Sequence, residues 1–313
     1  MSIEPLIVVA GENLIDRIIR PDGRIEEIPG GGPFNTACAL GRLGCRVAYL
    51  GRISTDDRGR LIRRLLLDDG VDLSLAVATD DPTLLAHASL DGTGNATYRF
   101  DWQGSAAAGL RADDLPAGLP GDAAALHVGT LGLVLEPMAT TIEGVVAGAP
   151  SNVLVMVDPN IRPGVITDPD TFRRRMTAIL RRADVVKVSL DDLAWLVPDS
   201  GNDEAARAAT DAALVLVTDG ARPVRILRRD ASAERFDIPP VTVVDTIGAG
   251  DAFGAGFLAE WIRAGRHGDD LRDAAAVRDA VQYAVRVAAW TVGRAGADPP
   301  RLADLGDDGW PGR

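Results

Sequence analysis

The chain alternates short apolar runs with longer segments in which apolar residues recur at helical spacing. Six runs have the length of a buried strand: Leu6–Ala10, Val47–Leu50, Ala125–Val128, Val153–Val157, Val185–Val188 and Leu214–Val217. Five amphipathic segments lie between them: Asn35–Leu43, Arg58–Asp69, Pro137–Ala147, Thr171–Arg182 and Asp191–Leu196. Continuous apolar strands that alternate with helices are typical of a parallel sheet covered on both faces. The pattern therefore predicts an α/β fold with a largely parallel central sheet flanked by helices.

Two parts of the chain depart from this alternation. After Thr218 the pattern predicts three short strands and two closing helices, at Val224–Leu227, Glu234–Ile238, Val241–Val244, about Ala249–Arg263 and about Ala274–Val292. Nearer the N-terminus, strand-like segments flank the turn sequences PDG at 21–23 and DGTG at 91–94. These predict inserted hairpins over about 14–29 and 84–103 that form a small β-sheet lid, with a dimerisation flap as the alternative. We expect a single domain over residues 1–313.

Composition narrows the classes of function. Lys plus Arg is 33 and Asp plus Glu is 45, so the formal net charge is −12, which disfavours nucleic-acid and anionic-membrane partners. The two cysteines show no metal-ligand spacing, which favours a reducing compartment and argues against structural zinc. No signal-peptide pattern or apolar stretch of membrane-spanning length is present. We therefore expect a cytoplasmic protein.

The basic residues are unevenly divided between arginine and lysine. Of the 33 basic residues, only Lys187 is a lysine, which leaves 33 − 1 = 32 arginines. Lysine carries a compact, flexible ammonium, whereas arginine carries a rigid planar fork, so the two are not interchangeable in chemistry. Lys187 lies at the end of the predicted strand Val185–Val188, where it could reach a phosphate. The alternative is a chance survivor in an arginine-biased composition.

The strongest chemical motif is DTIGAGDAF at 245–253. A predicted strand leads into a turn with Gly248 and Gly250, and then into a helix that begins near Asp251. Glycines let successive backbone N–H groups converge, and a helix N-terminus adds partial positive charge, so this turn can form an anion hole for a phosphate. Asp251 at its mouth could accept a proton from a hydroxyl nucleophile. The alternative is a tight turn in which Asp251 only caps the helix.

A second glycine-rich segment, GGGPFN at 30–35, leads into a predicted helix. Gly31 and Gly32 permit close approach of a ligand to the backbone, and Asn35 offers both donors and acceptors to sugar hydroxyls. Upstream, Asp16 lies in an apolar stretch, where its carboxylate could accept bonds from vicinal hydroxyls. An ion pair with Arg17 or Arg20 is the alternative for Asp16.

These motifs carry a resemblance to a known family. GGGPFNTACALGRLG resembles the N-terminal signature of the ribokinase-like (PfkB) carbohydrate kinases, and DTIGAGDAFGAGFLA resembles their C-terminal signature. The shorter strings GENLID, GRIS, DPNIR, VTDG and RAGA match as well, so the resemblance covers essentially the whole chain. Within the family, the sequence is most similar to the fructokinase branch. The resemblance implies a ribokinase-like fold and transfer of the γ-phosphoryl group of ATP to a primary hydroxyl of a monosaccharide. The implied cofactors are ATP and Mg²⁺, with K⁺ as a further candidate.

The resemblance also implies roles for individual positions. Asp251 matches the catalytic base, and the backbone of Gly248, Ala249 and Gly250 matches the anion hole. The candidate sugar contacts are Asp16, Gly31, Gly32, Asn35, Tyr98, Phe100 and Arg162, with the alternative that Tyr98, Phe100 and Trp102 are core of the small sheet. The candidate nucleotide and magnesium contacts are Lys187, Ser189, Asp192, Thr218 and Gly220, where Ser189 and Asp192 replace the family's Asn-x-x-Glu pair. The candidate monovalent-cation site comprises Asp245, Ile247, Arg294 and Gly296.

Other functions stay open on the sequence. Arg99 and Arg162 could bind a carboxylate, which makes a 2-keto-3-deoxygluconate kinase, or another sugar or nucleoside kinase of the family, the main competitor. A non-catalytic sugar- or nucleotide-binding protein is the alternative from a different class. The expected partners are a small-molecule sugar and ATP, and exposed edges of the lid make a homodimer through the lid a candidate assembly.

Overall fold

The computed structural model describes residues 4–20, 23–90, 96–197, 203–229 and 231–306. Within these ranges nine strands form a central sheet in the order β13-β12-β11-β10-β9-β8-β1-β4-β5. With strands numbered along the chain, its members are β1 Leu6–Ala10, β4 Val47–Ser54, β5 Ala76–Thr79, β8 Ala123–Gly129, β9 Leu154–Asp158, β10 Val185–Ser189, β11 Leu214–Asp219, β12 Arg222–Arg228 and β13 Glu234–Phe236. All six predicted apolar runs are strands of this sheet.

The sheet is parallel from β11 to β5, and β12 and β13 extend it in the antiparallel sense. Parallel strands need helices on both faces, and residues of one strand alternate between the two helical layers. In β1, Ile7 and Val9 belong to one core cluster, and Leu6, Val8 and Ala10 belong to the other. This confirms the predicted α/β fold with a largely parallel sheet.

The helices are α1 Gly32–Arg42, α2 Asp57–Asp68, α3 Met138–Gly148, α4 Pro169–Arg182, α5 Leu190–Leu196, α6 Asp203–Ala208, α7 Ala249–Arg263, α8 Ala274–Val292 and α9 Leu302–Leu305. Helices α1, α7 and α8 cover one face of the sheet, and α3 and α4 cover the other. Gly256 of α7 packs directly on α8, because a Cβ at this position would lie 2.8 Å from Ala284 Cα. The two predicted closing helices have the bounds that the structure gives to α7 and α8.

A second, smaller sheet has the order β3-β2-β6-β7. Its strands are β2 Leu14–Ile19, β3 Ile25–Gly30, β6 Leu85–Leu90 and β7 Ala96–Asp101. β2 with β3 and β6 with β7 are the two predicted hairpins, and β2 pairs with β6 in the parallel sense. The predicted turn residues Pro21, Asp22 and 91–95 lie outside the described residues.

The predicted strand over Val241–Val244 is wrong. This segment forms no strand, and Val243 and Val244 are 56% and 60% exposed. Its backbone follows the C-terminal end of α8 instead, where Val244 N donates to Val292 O at 2.8 Å. Residues with high strand propensity form a strand only where a neighbouring strand supplies a ladder, and here there is none. Conversely, the pattern did not indicate β5, α6 or α9.

Candidate active site

The carboxyl ends of the parallel strands meet the N-termini of α1 and α7. α7 begins at Ala249 after Gly248, whose φ of 74° is in the left-handed region that favours glycine. A Cβ at Gly248 would lie 2.5 Å from Ala297 Cβ, so the turn also excludes a side chain by space. The first backbone N–H groups of α7 are therefore directed at one point, as an anion hole requires.

Asp251 lies in the first turn of α7 and is 8% exposed. Its Oδ2 accepts a hydrogen bond from Asn35 Nδ2 at 2.8 Å, which joins α7 to the first turn of α1. Burial raises the pKa of Asp251 to about 6, with a further rise from Asp158 and opposing effects from Asn35, Lys187 and Arg162. A carboxylate with this pKa is ionised at neutral pH and is a stronger base than an exposed aspartate.

Lys187 of strand β10 lies against Gly250 at the start of α7. A Cβ at Gly250 would lie 2.7 Å from Lys187 Nζ, so the missing side chain of Gly250 makes room for the ammonium. Nζ bonds Asp158 Oδ2 at 2.8 Å, and Lys187 and Asp158 are 4% and 3% exposed. Burial alone would lower the pKa of Lys187, but the carboxylates of Asp158, Asp251 and Asp192 raise it. Lys187 is therefore a buried cation beside the proposed anion hole.

One carboxylate oxygen of Asp158 has no hydrogen-bond partner among the residues that the structure describes. Among the described residues, Oδ1 accepts no hydrogen bond although it is buried from solvent. A buried acceptor without a partner costs free energy, and such groups concentrate where a ligand or ion completes the site.

Ser189 and Asp192 are joined to each other and to the turn after β9. Asp192 Oδ2 accepts from Ser189 N at 3.1 Å and from Ser189 Oγ at 2.6 Å, while Ser189 Oγ accepts from Asp192 N at 3.0 Å. Asp192 Oδ1 accepts from Ile161 N at 2.7 Å. The pair forms a capping box at the start of α5 and also holds the turn that follows Asp158.

The glycine-rich turn before α1 approaches the end of β8. Gly31 has a φ of 107°, and a Cβ at Gly32 would overlap Thr130 Oγ1 and lie 3.4 Å from Asp251 Oδ1. Gly32 therefore brings the backbone of the GGGPFN segment to the Asp251 carboxylate. The structure thus brings Gly31, Gly32 and Asn35 together with Asp251, although they are distant in sequence.

Asp16 lies on the small sheet, beside β3 and β6. A Cβ at Gly30 would lie 2.5 Å from Asp16 Oδ2, and burial raises the pKa of Asp16 to about 6, opposed by Arg162. The ion pair considered for Asp16 does not form, since Arg17 bonds Glu27 and Arg20 bonds Glu26. Arg162 is exposed and donates to the carbonyl oxygens of Asn160 and Ile161 at 3.2 Å.

The aromatic candidates on the small sheet differ in what the structure describes. Phe100 pairs in register with Ala86, which in turn pairs with Asp16, so Phe100 and Asp16 lie in one cross-strand row. Phe100 and Trp102 are half-buried and pack against the second core cluster. The side chain of Tyr98 lies outside the described residues.

The candidate nucleotide and cation positions fall into two groups. Thr218 is the next-to-last residue of β11 and pairs in register with Ser189 of β10, and Gly220 follows β11 in a turn with a φ of 55°. Asp245 joins the two arms of the candidate cation site, because it accepts from Ile247 N at 3.0 Å and from Gly296 N at 2.8 Å. Arg294 stacks on Trp290, with 3.9 Å between the guanidinium carbon and the ring centroid.

Comparison with known proteins identifies this arrangement. Residues 4–303 match the model of the pfkB family of carbohydrate kinases. The chain belongs to this family.

Relatives of this pfkB carbohydrate kinase include fructokinases. It is 36% identical to a fructokinase of Rhizobium leguminosarum bv. trifolii over 262 residues, which cover 81% of this chain and 79% of that protein. Among solved structures, it resembles a fructokinase with bound ATP from Xylella fastidiosa, with a TM-score of 0.89, 27% identity and 97% of both chains covered. It also resembles a double mutant of a Vibrio cholerae O395 fructokinase bound to fructose, ADP and potassium ion, with a TM-score of 0.83, 27% identity and 94% of both chains covered.

Two buried acids of the kinase were missed by sequence reasoning. Asp158 was visible only as part of the DPNIR string, and nothing local indicated its pairing with Lys187. Glu12 is fully buried, and its carboxylate accepts from Gly32 N at 3.2 Å and from Gly132 N at 2.9 Å. Burial raises the pKa of Glu12 to about 7. Glu12 therefore ties the end of β1 to the starts of α1 and of the turn after β8.

The described part of the chain contains no group of three or more His, Cys, Asp and Glu side chains arranged to hold a metal ion. None of its helices is long and apolar enough to span a membrane.

Proposed function

We propose that this pfkB carbohydrate kinase transfers the γ-phosphoryl group of ATP to a primary hydroxyl of fructose. The observation that carries the proposal is the buried Asp251 carboxylate, held by Asn35 at the mouth of the Gly248–Asp251 turn. A base and an anion hole side by side are what phosphoryl transfer to an alcohol needs. The fructokinase relatives, one bound to ATP and another to fructose and ADP, support this substrate pair.

In the proposed reaction Asp251 accepts the proton of the sugar hydroxyl, the hydroxyl oxygen forms a bond to the γ-phosphorus, and the bond from that phosphorus to the bridging oxygen breaks as ADP leaves. The hydrogen bond from Asn35 directs Oδ2, which leaves Oδ1 toward Gly32 and the sugar. The backbone N–H groups of Ala249, Gly250 and Asp251 stabilise the charge on the transferring group, and the Lys187 ammonium, which is paired with Asp158, adds positive charge from β10. The net charge of the chain does not matter here, since the site supplies its positive charge locally.

The sugar would lie between the two sheets. Asp16 from β2 accepts from its hydroxyls, the backbone at Gly31 and Gly32 and the Asn35 amide complete the polar contacts, and Arg162 closes the site opposite Asp16. Phe100, with Tyr98 on the same strand, would cover the apolar face of the sugar. In this role the small sheet is a lid that excludes water from the transfer.

The donors present fit Mg²⁺ that enters with ATP. The buried Oδ1 of Asp158 accepts no hydrogen bond within the described chain and suits a metal-bound water. Ser189 and Asp192 would act through the turn that carries Asp158, because their polar atoms are already bonded to each other and to Ile161. When bound, the ion would neutralise charge on the β- and γ-phosphates. Thr218 and Gly220 would contact the nucleotide at the end of β11.

K⁺ is a further candidate ligand of this kinase. Asp245 and the carbonyl of Ile247 would form one arm of its site, and the backbone of Arg294 and Gly296 the other. The support is that Asp245 already bridges both arms and that a potassium ion is bound in the Vibrio cholerae relative. An ion there would stabilise the loop that leads into Gly248.

A coupled assay of ADP release with a sugar panel tests the proposed function. We expect fructose to give the highest kcat/KM, above ribose, 2-keto-3-deoxygluconate and adenosine, and turnover to depend on Mg²⁺. Preference for 2-keto-3-deoxygluconate would favour the second candidate, in which the exposed Arg162 binds the sugar carboxylate. No turnover with any acceptor would contradict the kinase and favour a binding protein.

A further inference from the structure

A cavity of about 590 Å³ opens at the amino edge of the central sheet, opposite to the edge that carries Asp251. Its walls come from the loop before β9, the C-terminus of α4, the residues preceding β10 and β11, and the end of β12. Five of its lining residues are the arginines Arg181, Arg182, Arg228, Arg229 and Arg272. We call it the basic cavity.

The basic cavity is positively charged in a strongly acidic protein. Its described lining residues include five arginines and two acids, Asp184 and Asp211, which gives 5 − 2 = +3, whereas the whole chain carries −12. Asp230, which adjoins this wall in sequence, lies outside the described residues. Asp184 Oδ2 already accepts from Val155 N at 2.7 Å and from Arg182 Nη1 at 3.1 Å, so its charge is neutralised within the wall.

Two of the arginines build the wall. Arg182 Nη2 donates to the carbonyl oxygens of Pro150 and Val153 at 3.0 and 3.1 Å, which fixes the loop before β9. Arg228 bonds Glu234 at 2.6 Å and donates to the carbonyl oxygen of Arg272 at 3.1 Å. Arg228 thereby holds the backbone of Arg272 at the rim of the cavity. These guanidinium groups are committed to the fold.

The other three arginines present N–H groups that are unused or only weakly used within the described residues. Within the described chain, the side chains of Arg181 and Arg272 make no hydrogen bond or ion pair, and both residues are exposed. Arg229 reaches Asp211 only at 3.5 Å, and these two side chains are 52% and 63% exposed. A pair this exposed contributes little, so Arg229 can change partner at small cost. Three guanidinium groups with available donors thus face one cavity.

We propose that the basic cavity binds a small molecule through its phosphate group, at a site separate from the catalytic centre. Guanidinium groups bind phosphate oxygens by paired N–H bonds, and a phosphate monoester carries about −1.5 to −2 at neutral pH, which matches the surplus charge. The volume is within the range of about 300–1,000 Å³ typical of small-molecule sites, and it suits a sugar phosphate or a mononucleotide. Ser151, another lining residue, adds a hydroxyl for the rest of the ligand.

The test compares three proteins that share the same catalytic centre. Calorimetric titration with inorganic phosphate, fructose 6-phosphate and AMP is carried out on the wild type, on the double variant R181A/R272A and on the control R63A/R64A. Arg63 and Arg64 are exposed on α2, and the control removes the same charge away from the cavity. Acetate serves as the anion without phosphorus. Turnover with ATP and sugar should be equal in all three proteins, since neither pair touches the catalytic centre.

We expect R181A/R272A to lose one phosphate site or to bind it about tenfold more weakly or worse, while R63A/R64A changes affinity less than about twofold. Tighter binding of fructose 6-phosphate or of AMP than of inorganic phosphate would identify the source of the phosphate group. The proposal is overturned if the wild type and R181A/R272A bind phosphate with equal affinity, or if R63A/R64A loses as much phosphate affinity as R181A/R272A. It is also overturned if the wild type binds acetate as tightly as inorganic phosphate. These outcomes do not depend on which sugar the kinase phosphorylates.

Discussion

The two edges of the central sheet hold charge in opposite ways. At the carboxyl edge, Asp251, Asp158, Lys187 and Glu12 are each less than one tenth exposed, and every charge has a fixed partner or direction. At the amino edge, arginines line an open cavity, and several of them are solvated. Buried charges interact strongly because little water screens them, whereas solvated charges adjust and cost little to move. The buried charges at the carboxyl edge therefore suit proton and phosphoryl transfer, whereas the solvated charges at the amino edge suit reversible binding.

The largest effect is expected for Asp251→Asn. Asparagine keeps an acceptor for Asn35 but cannot take a proton, so kcat should fall by about 10²–10⁴-fold while ATP binding by calorimetry is unchanged. Because burial raises the pKa of Asp251, its ionised form destabilises the fold at pH values above about 6. The variant should therefore unfold at a temperature higher by roughly a few degrees at pH 8 in calorimetry. Unchanged turnover would contradict the role of base.

Exchange of the two kinds of cation gives the next largest effect. In Lys187→Arg the wider guanidinium must fit where a Cβ on Gly250 would already lie 2.7 Å from the ammonium, so we expect kcat to fall by roughly 10- to 100-fold. Steady-state kinetics of Arg181→Lys provide the matched control, because the reverse exchange at the solvated edge should leave kcat unchanged. Full activity of Lys187→Arg would mean that this lysine is a compositional accident.

The dependence of kcat/KM on pH should reflect the raised pKa of the buried Asp251 carboxylate. The pKa of Asp251 is about 6, and this group must be ionised to act as the base. We expect kcat/KM to fall by about tenfold or more per pH unit below pH 6, because the pKa of Asp16 is also about 6, and to be level above about pH 8, since the pKa of Glu12 is about 7. The pKa of His127 is lowered to about 3 by burial and by Lys187, so this histidine is neutral throughout and adds no limb. A profile that is flat down to pH 5 would contradict a buried base.

The smallest effect is expected for Glu12→Gln, because the Glu12 carboxylate acts through the backbone N–H groups of Gly32 and Gly132. In Glu12→Gln, the N–H group of either Gly32 or Gly132 faces an amide NH₂ instead of a carboxylate oxygen. One of the two turns held by Glu12 therefore loses a hydrogen bond. We expect KM for the sugar to rise by about 3- to 10-fold with a smaller change in kcat, measured by steady-state kinetics. Glu26→Gln, on the exposed strand β3, is the control and should change neither value. Equal kinetics of both variants would show that Glu12 has no positioning role.

Local patterns predicted the strands, the closing helices and the two glycine turns, because each of these is encoded by adjacent residues. The turn at Gly248 needs a left-handed residue and the strand at 185–189 needs apolar side chains, and both are readable one residue at a time. Asp158, Glu12 and the row that joins Asp16 to Phe100 depend on partners brought together by the fold. The same holds for the failed strand at Val241–Val244, whose residues have strand propensity but no neighbouring strand. Partner choice over long sequence distances is what a single sequence does not reveal.

The buried Lys187 has a practical consequence for handling the protein. Its ε-amine is the only one among the side chains of the chain, and Lys187 is 4% exposed beside the Gly248–Asp251 turn. Acylating dyes and amine crosslinkers therefore find no accessible lysine on the folded molecule. Labelling of Lys187 by such a reagent, detected by peptide mass spectrometry, reports that the region around Lys187 and the Gly248–Asp251 turn has opened to solvent. Lys187 is thus a single-residue footprinting probe of solvent access to the site around Asp251.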